Sequence, residues 1–213
     1  MRIGLAPLMR RLGYLFPRQI YSAIDSPACA PRANIAEMAS PYDLFVLEEK
    51  RMVRFPGWSK PRANGEMSFV ADLEIGGVSY ENLHLRGTCI EHLPEREVMF
   101  QLEVSSNSER TRVPLMRVDW NPTSGGHRNA KKGLPERLRG RFIKGSHFHP
   151  FEENWLEDEG CMRAINLPVA LEIHPTLQSF NDLLDFVKKS FRISDLSSIQ
   201  TPEWVSDMFK NGN

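Results

Sequence analysis

Cysteine is scarce in this chain. Cys29, Cys89 and Cys161 are the only three in 213 residues, they lie far apart, and they form neither a C-x-x-C pair nor a regular framework spacing. A disulfide-framework scaffold is thereby excluded, and a reduced cytoplasmic compartment fits best. No run approaches the roughly 18 apolar residues that a membrane-spanning helix needs, which excludes insertion by such a helix. Repeats and low-complexity tracts are absent too. Net charge is lacking: 27 Lys+Arg balance 27 Asp+Glu. That balance argues against a generally basic nucleic-acid coat and against an acidic solvating protein, while leaving local patches open. What is present, 41% hydrophobic residues in a chain this long, suffices for a folded core.

The first 40 residues differ from the rest. Arg2, Arg10, Arg11 and Arg18 occur without an acid before Ile24, and Leu5, Leu8, Leu12, Leu15 and Phe16 recur at helical spacing. This is expected to be a basic helical extension. A targeting segment, a membrane-surface helix, a docking helix and an upstream extension of the reading frame all fit it. Ser26 to Arg32, S-P-A-C-A-P-R, reads as a linker because its two prolines interrupt helix and ladder alike. Residues 41–213 are expected to form a single α+β domain.

Within that domain a short helix is expected from Tyr42 to Arg54. Pro56-Gly57, Pro61 and Asn64-Gly65 then mark loop, and the pattern changes to period two. Phe69, Ala71, Leu73 and Ile75 alternate with polar residues, Gly76-Gly77 supplies a hairpin turn into Val78 to Arg86, and Val98, Phe100, Leu102 and Val104 form another alternating run. Further strands are expected at Arg112 to Trp120 and Phe142 to Phe151. Leu177, Phe180, Leu184, Val187 and Phe191 fall three or four apart, which predicts a helix over 176–191, and a short helix is expected over 202–210. The expected architecture is an antiparallel, meander-like sheet of about five strands with helices packed on one face.

The last two strands carry the chemistry. His147 and His149 flank Phe148, and residues two apart on a strand project to one face about 6 to 7 Å apart. Arg117 and Asp119 share a face by the same parity. Paired in suitable register, these four side chains converge, and the intervening loop adds His127 and Asn129. Three chemistries could use them. His127, His147 and His149 with a carboxylate can ligate zinc or another divalent ion. Histidines beside an arginine can act as acid, base and phosphate clamp without a metal. The group can also bind without turnover. Gly140, His147, His149, Glu153 and Gly160 nearly reproduce the first cupin motif, but Gly140 is one residue too far from His147 and the chain soon turns helical, so a complete cupin barrel will not fit.

Between these strands Arg128, Lys131, Lys132, Arg137, Arg139, Arg141 and Lys144 are opposed only by Glu136. With Gly125-Gly126, Gly133 and Gly140 they suggest a mobile basic loop that could track a nucleic-acid backbone or dock an acidic partner. The chain's neutrality conceals this asymmetry: Ser105 to Ser146 holds ten basic and three acidic residues, and His147 to Asp185 holds one basic and eight acidic.

Leu115-Met116-Arg117-Val118-Asp119, His127-Arg128-Asn129 and His147-Phe148-His149 together resemble a family of uncharacterised bacterial proteins whose shared core runs L-R-x-D, H-x-N, H-x-H. The likeness covers about Tyr42 to Phe191. Family members usually place a short N-P-D-G turn after the H-x-N asparagine, where this chain has Ala130 and the basic insertion. The resemblance implies an accessory protein of a bacterial mobile-element, defence or toxin and antitoxin locus. The leading expectation is therefore an intracellular prokaryotic protein of such a system, a nuclease or phosphodiesterase acting through His147, His149, His127, Arg117 and Asp119. The alternative is a non-catalytic module that docks a protein or nucleic-acid partner through the 128–144 loop.

Overall fold

The Gly76-Gly77 turn is the simplest place to see why this chain makes a sheet. Both glycines have positive φ, 58° and 79°, the backbone that a two-residue hairpin matching strand twist requires. The hairpin they close pairs Ile75 with Val78 and runs back to Glu66 opposite Ile90. In the computed structural model, which describes residues 40–105, 112–164 and 166–205, these are β2 (Glu66–Ile75) and β3 (Val78–Ile90). The expected strand ending at Arg86 thus continues for four more residues. A register shift between Asp72 and Leu73 marks a bulge, which bends the ribbon.

The main sheet has seven strands, not five. Its order is β1 (Lys50–Met52), β2, β3, β4 (Val98–Ser105), β5 (Arg112–Trp120), β8 (His147–His149) and β11 (Leu171–Glu172), and all neighbours are antiparallel. β1 replaces the second half of the helix expected at 42–54. Helix α1 (Asp43–Leu47) stops because Glu48 is extended, with ψ 151°, and Lys50 to Met52 instead pair with Ile75 to Leu73. Tertiary pairing here overrides local helical propensity. The expected strand at 142–151 is likewise divided. Gly145, with φ 69°, separates β7 (Phe142–Lys144), which pairs with β6 (Gly126–Arg128) in a small sheet of its own, from β8, which joins the main sheet. Phe151 already opens a short helix, α2 (Phe151–Asn154). A two-stranded ribbon of β9 (Trp155–Leu156) and β10 (Cys161–Met162) follows.

Register sorts the side chains into two faces. Phe69, Gly87, Phe100, Val118 and Phe148 lie in one cross-strand row, and this face holds the apolar core. Helix α3 (Phe180–Ser190) begins at a Ser179/Asp182 capping box, three residues later than expected, because Ser179 accepts the Asp182 N–H that would otherwise go unpaired. Its Phe180 meets Phe100 and Trp120, and Phe186 meets Phe148. The next row over, Ser68, Thr88, Met99, Asp119, His147 and Glu172, projects to the opposite face. Residues 201–205 are not helical, and the remainder of the helix expected at 202–210, like the 1–39 extension, lies outside the described residues. Among the described residues no helix is long and apolar enough to cross a membrane.

The apolar row contains a fit that can be tested. A Cβ at Gly87 would overlap the Phe69 ring, which is held in place by Phe55, Trp58 and Phe100. Gly87→Ala is expected to destabilise the fold by about 1–3 kcal/mol, as overpacking of a filled core does. A chemical denaturation midpoint equal to that of the parent chain would contradict this packing.

Candidate metal centre

β5 and β8 pair with Arg117 opposite His149 and Asp119 opposite His147, which is the register the convergence requires. The Asp119 carboxylate oxygen Oδ2 is the hub. It lies 2.9 Å from Arg117 Nε, 3.1 Å from His149 Nε2 and 3.2 Å from His147 Nε2. Arg117 also brings its Nη2 within 2.9 Å of His149 Nε2. β6 delivers His127, whose ring centre is 4.8 Å from that of His149 and 5.5 Å from that of His147. Each of the three histidines offers one nitrogen, all within 4.8 Å of one another. Three histidines therefore lie close enough to hold a metal ion. All five side chains singled out from the sequence meet at this one place.

Each imidazole is oriented by a backbone carbonyl. His147 Nδ1 is 2.8 Å from Gly145 O, His149 Nδ1 is 3.0 Å from Val169 O, and His127 Nε2 is 3.0 Å from Pro168 O. A carbonyl only accepts, so in each neutral ring that nitrogen carries the proton and the other keeps its lone pair. The other nitrogens of two of the rings, His147 Nε2 and His149 Nε2, both face the same carboxylate oxygen. Among the described residues Arg117 is the one cation touching that cluster. Burial holds His149 neutral, bringing its pKa down to about 4, with the Arg117 charge adding to the effect. Burial likewise lowers His127, reinforced by His147 and Arg117. Burial alone would push Asp119 up, but its contacts with His147 and His149 and the Arg117 charge outweigh it and hold the carboxyl well below the usual carboxylate range. The site thus gathers a carboxylate, a guanidinium and three imidazoles, of which burial favours the neutral form of His127 and His149.

The segment that carries two of these carbonyls is itself held by two buried asparagines. Asn154 Nδ2 donates to Val169 O and its Oδ1 accepts the Val169 N–H, at 2.9 and 3.0 Å. Asn129 does the same for Ala170, at 3.1 and 2.8 Å. The H-x-N pattern therefore has a physical content: His127 binds Pro168 while Asn129, two residues on, fastens the adjoining backbone. Asn154 and the 168–170 segment carried no signal in the sequence. Leu167-Pro168-Val169-Ala170 reads as an apolar run, and its contribution is made by main-chain oxygens that no side-chain pattern reports.

The basic segment is not an unstructured loop. Leu134 and Leu138 are buried with Val169 in a small core. Its cations are partly spent: Arg137 pairs with Glu153 at 2.6 Å, Arg141 with Glu172 at 3.3 Å, Arg139 donates to Leu134 O, and Arg128 donates to Gly140 O and lies over Phe142. Two cations of the basic block thus pair with two acids of the acidic block. Lys131, Lys132 and Lys144 are exposed and make no ion pair among the described residues.

Along the same polar face the buried Glu103 accepts from Arg86, Gln101 and Arg112. That network was not foreseen, because its members are spread over three strands. A search of family models, of curated proteins and of solved structures finds no match to this chain.

Asn154 is fully buried, so Asn154→Ala would strand the Val169 N–H away from water and leave its carbonyl with the His149 donor alone. The expected loss is about 1–3 kcal/mol, seen as a lower midpoint in thermal or denaturant unfolding. Retention of parental stability would show that the 168–170 segment is held by other contacts.

Proposed function

We propose that His127, His147 and His149, with Asp119, hold a single divalent metal ion and that the centre hydrolyses phosphoester bonds. The observation that carries this reading is the set of three imidazoles, each already bonded through one N–H to a main-chain carbonyl, with their remaining nitrogens gathered beside a carboxylate. Metal-ligating histidines are oriented in this way by outer partners. Nitrogen donors with one carboxylate suit zinc. When bound, such an ion lowers the pKa of a coordinated water to about 7 and so supplies a nucleophile at neutral pH.

The chain's own groups complete the chemistry. Arg117 uses Nε and Nη2 on Asp119 and His149. Nη1 makes no hydrogen bond among the described residues, and the side chain is 21% exposed. Nη1 is left to donate to a phosphate oxygen through a single charge-assisted hydrogen bond. On the face opposite the apolar core, the Arg117 and Asp119 side chains stay about a fifth exposed, which gives a substrate a point of approach. The biological setting proposed with this activity is the one the family resemblance implies, an accessory protein of a bacterial mobile-element or defence locus.

The rival reading is a binding module without turnover. It is favoured by the exposed Lys131, Lys132 and Lys144, and by the Arg117 donor that already occupies the His149 lone pair.

Two measurements separate them. Full-length protein titrated with zinc is expected to bind one ion per chain and to cleave bis(4-nitrophenyl) phosphate. The double variant His147→Ala/His149→Ala is expected to lose both. Failure of the parent chain to bind zinc, or equal turnover by the double variant, would remove the metal hydrolase reading. Arg117→Met takes the competing donor from His149 and exposes the ligands to the ion. Tighter zinc binding is expected, together with a drop in turnover of about 10²-fold or more from the lost phosphate contact. Unchanged turnover would show that Arg117 does not touch substrate.

A further inference from the structure

On the polar face, directly beside Asp119, lies a cavity of about 210 Å³ whose lining includes Glu66, Thr88, Ile90, Glu97, Met99 and Asp119. Its place follows from register. Thr88 pairs with Met99 and Met99 with Asp119, so the cavity floor is the same cross-strand row that continues to His147. Asp119 is therefore shared: it meets Arg117 and two histidines and also forms a wall of the cavity. A group held in the cavity and an anion held on Arg117 would belong to one molecule lying across Asp119.

We infer that this cavity is the subsite for the organic group of the ester, and that the group is uncharged, about the size of one sugar or nucleobase ring, and rich in hydrogen-bond donors. This rests on the hydrolase reading above. Size sets the first limit, since sites for drug-sized ligands run to roughly 300–1,000 Å³ and this one is smaller. Charge sets the second. Glu97 accepts from the Thr123 N–H and hydroxyl through Oε2 and has no cation partner among the described residues, while Glu66 is paired with Arg62. Carboxylates here would repel a second phosphate and accept from hydroxyl or amino groups. Ile90, Met99 and Pro122 supply apolar walls against which a ring can lie. The substrate class is then a nucleotide-sized or sugar phosphoester. A long polyanion fits poorly, because Arg137 and Arg141, which could have followed its backbone, are bonded to Glu153 and Glu172.

The test is direct binding, read at the cavity by methyl and amide NMR of full-length protein, with zinc content measured separately. Adenosine 5′-monophosphate, ribose 5-phosphate and inorganic phosphate are the probes. The two organic phosphates are expected to shift Thr88, Met99 and Glu97 saturably and to bind at least tenfold tighter than inorganic phosphate. Met99→Trp, which fills the cavity, is expected to abolish that advantage without altering zinc content, and Glu97→Gln to weaken it. Equal affinity for all three probes, absence of binding, or an undiminished advantage in Met99→Trp would overturn the subsite. Zinc binding without the subsite response would defeat this inference alone, whereas absence of zinc would defeat the metal centre on which it rests.

Discussion

Two cross-strand pairs, Arg117 with His149 and Asp119 with His147, set everything on the polar face of this protein. A slip of one residue between β5 and β8 would turn Phe148 outward and drive both histidines into the apolar layer. The register is held by the other face, where Val118 lies opposite Phe148 and Phe148 packs on Phe186 and Phe191. Burial of apolar surface thus aims the polar groups. The same aromatic contacts that stabilise the sheet against α3 place a carboxylate oxygen within 3.2 Å of two imidazoles.

Such a cluster is costly unless each member is satisfied, because polar groups removed from water need partners. Here the balance is struck in layers. Arg117 compensates Asp119, main-chain carbonyls receive the N–H of each imidazole, and Asn129 and Asn154 hold two neighbouring residues of the segment that carries two of those carbonyls. Every layer is oriented by the next, so the second nitrogens of His147 and His149 are brought to one carboxylate oxygen, with Arg117 Nη2 also at His149. The gathering of three imidazoles distinguishes this cluster from the buried ion pair of Glu103 with Arg86 and Arg112, whose carboxylate is occupied by donors.

The legible parts of the fold were those governed by short-range rules. Period-two alternation located β2, β4 and β5, paired glycines located the first hairpin, and three-to-four spacing located α3. The misread parts involve competition between local pattern and distant pairing. Lys50 to Met52 had helical neighbours but found the free edge of β2, and Phe142 to Phe151 alternated like one strand but is broken by Gly145, which lets β7 and β8 enter different sheets. β11 is two residues long and exists only because β8 offers it an edge.

For the site, residue type and parity were enough to nominate His127, His147, His149, Arg117 and Asp119, since alternation on a strand dictates which side chains share a face. The chain alone also contained the opposed basic and acidic blocks. What only the tertiary structure decided is that these blocks pair internally through Arg137 with Glu153 and Arg141 with Glu172, that Asp119 Oδ2 is the shared hub, and that carbonyls of Gly145, Pro168 and Val169 choose the tautomers. Those outcomes depend on main-chain atoms and on contacts between residues up to 41 positions apart, and a linear pattern of side chains carries no record of either.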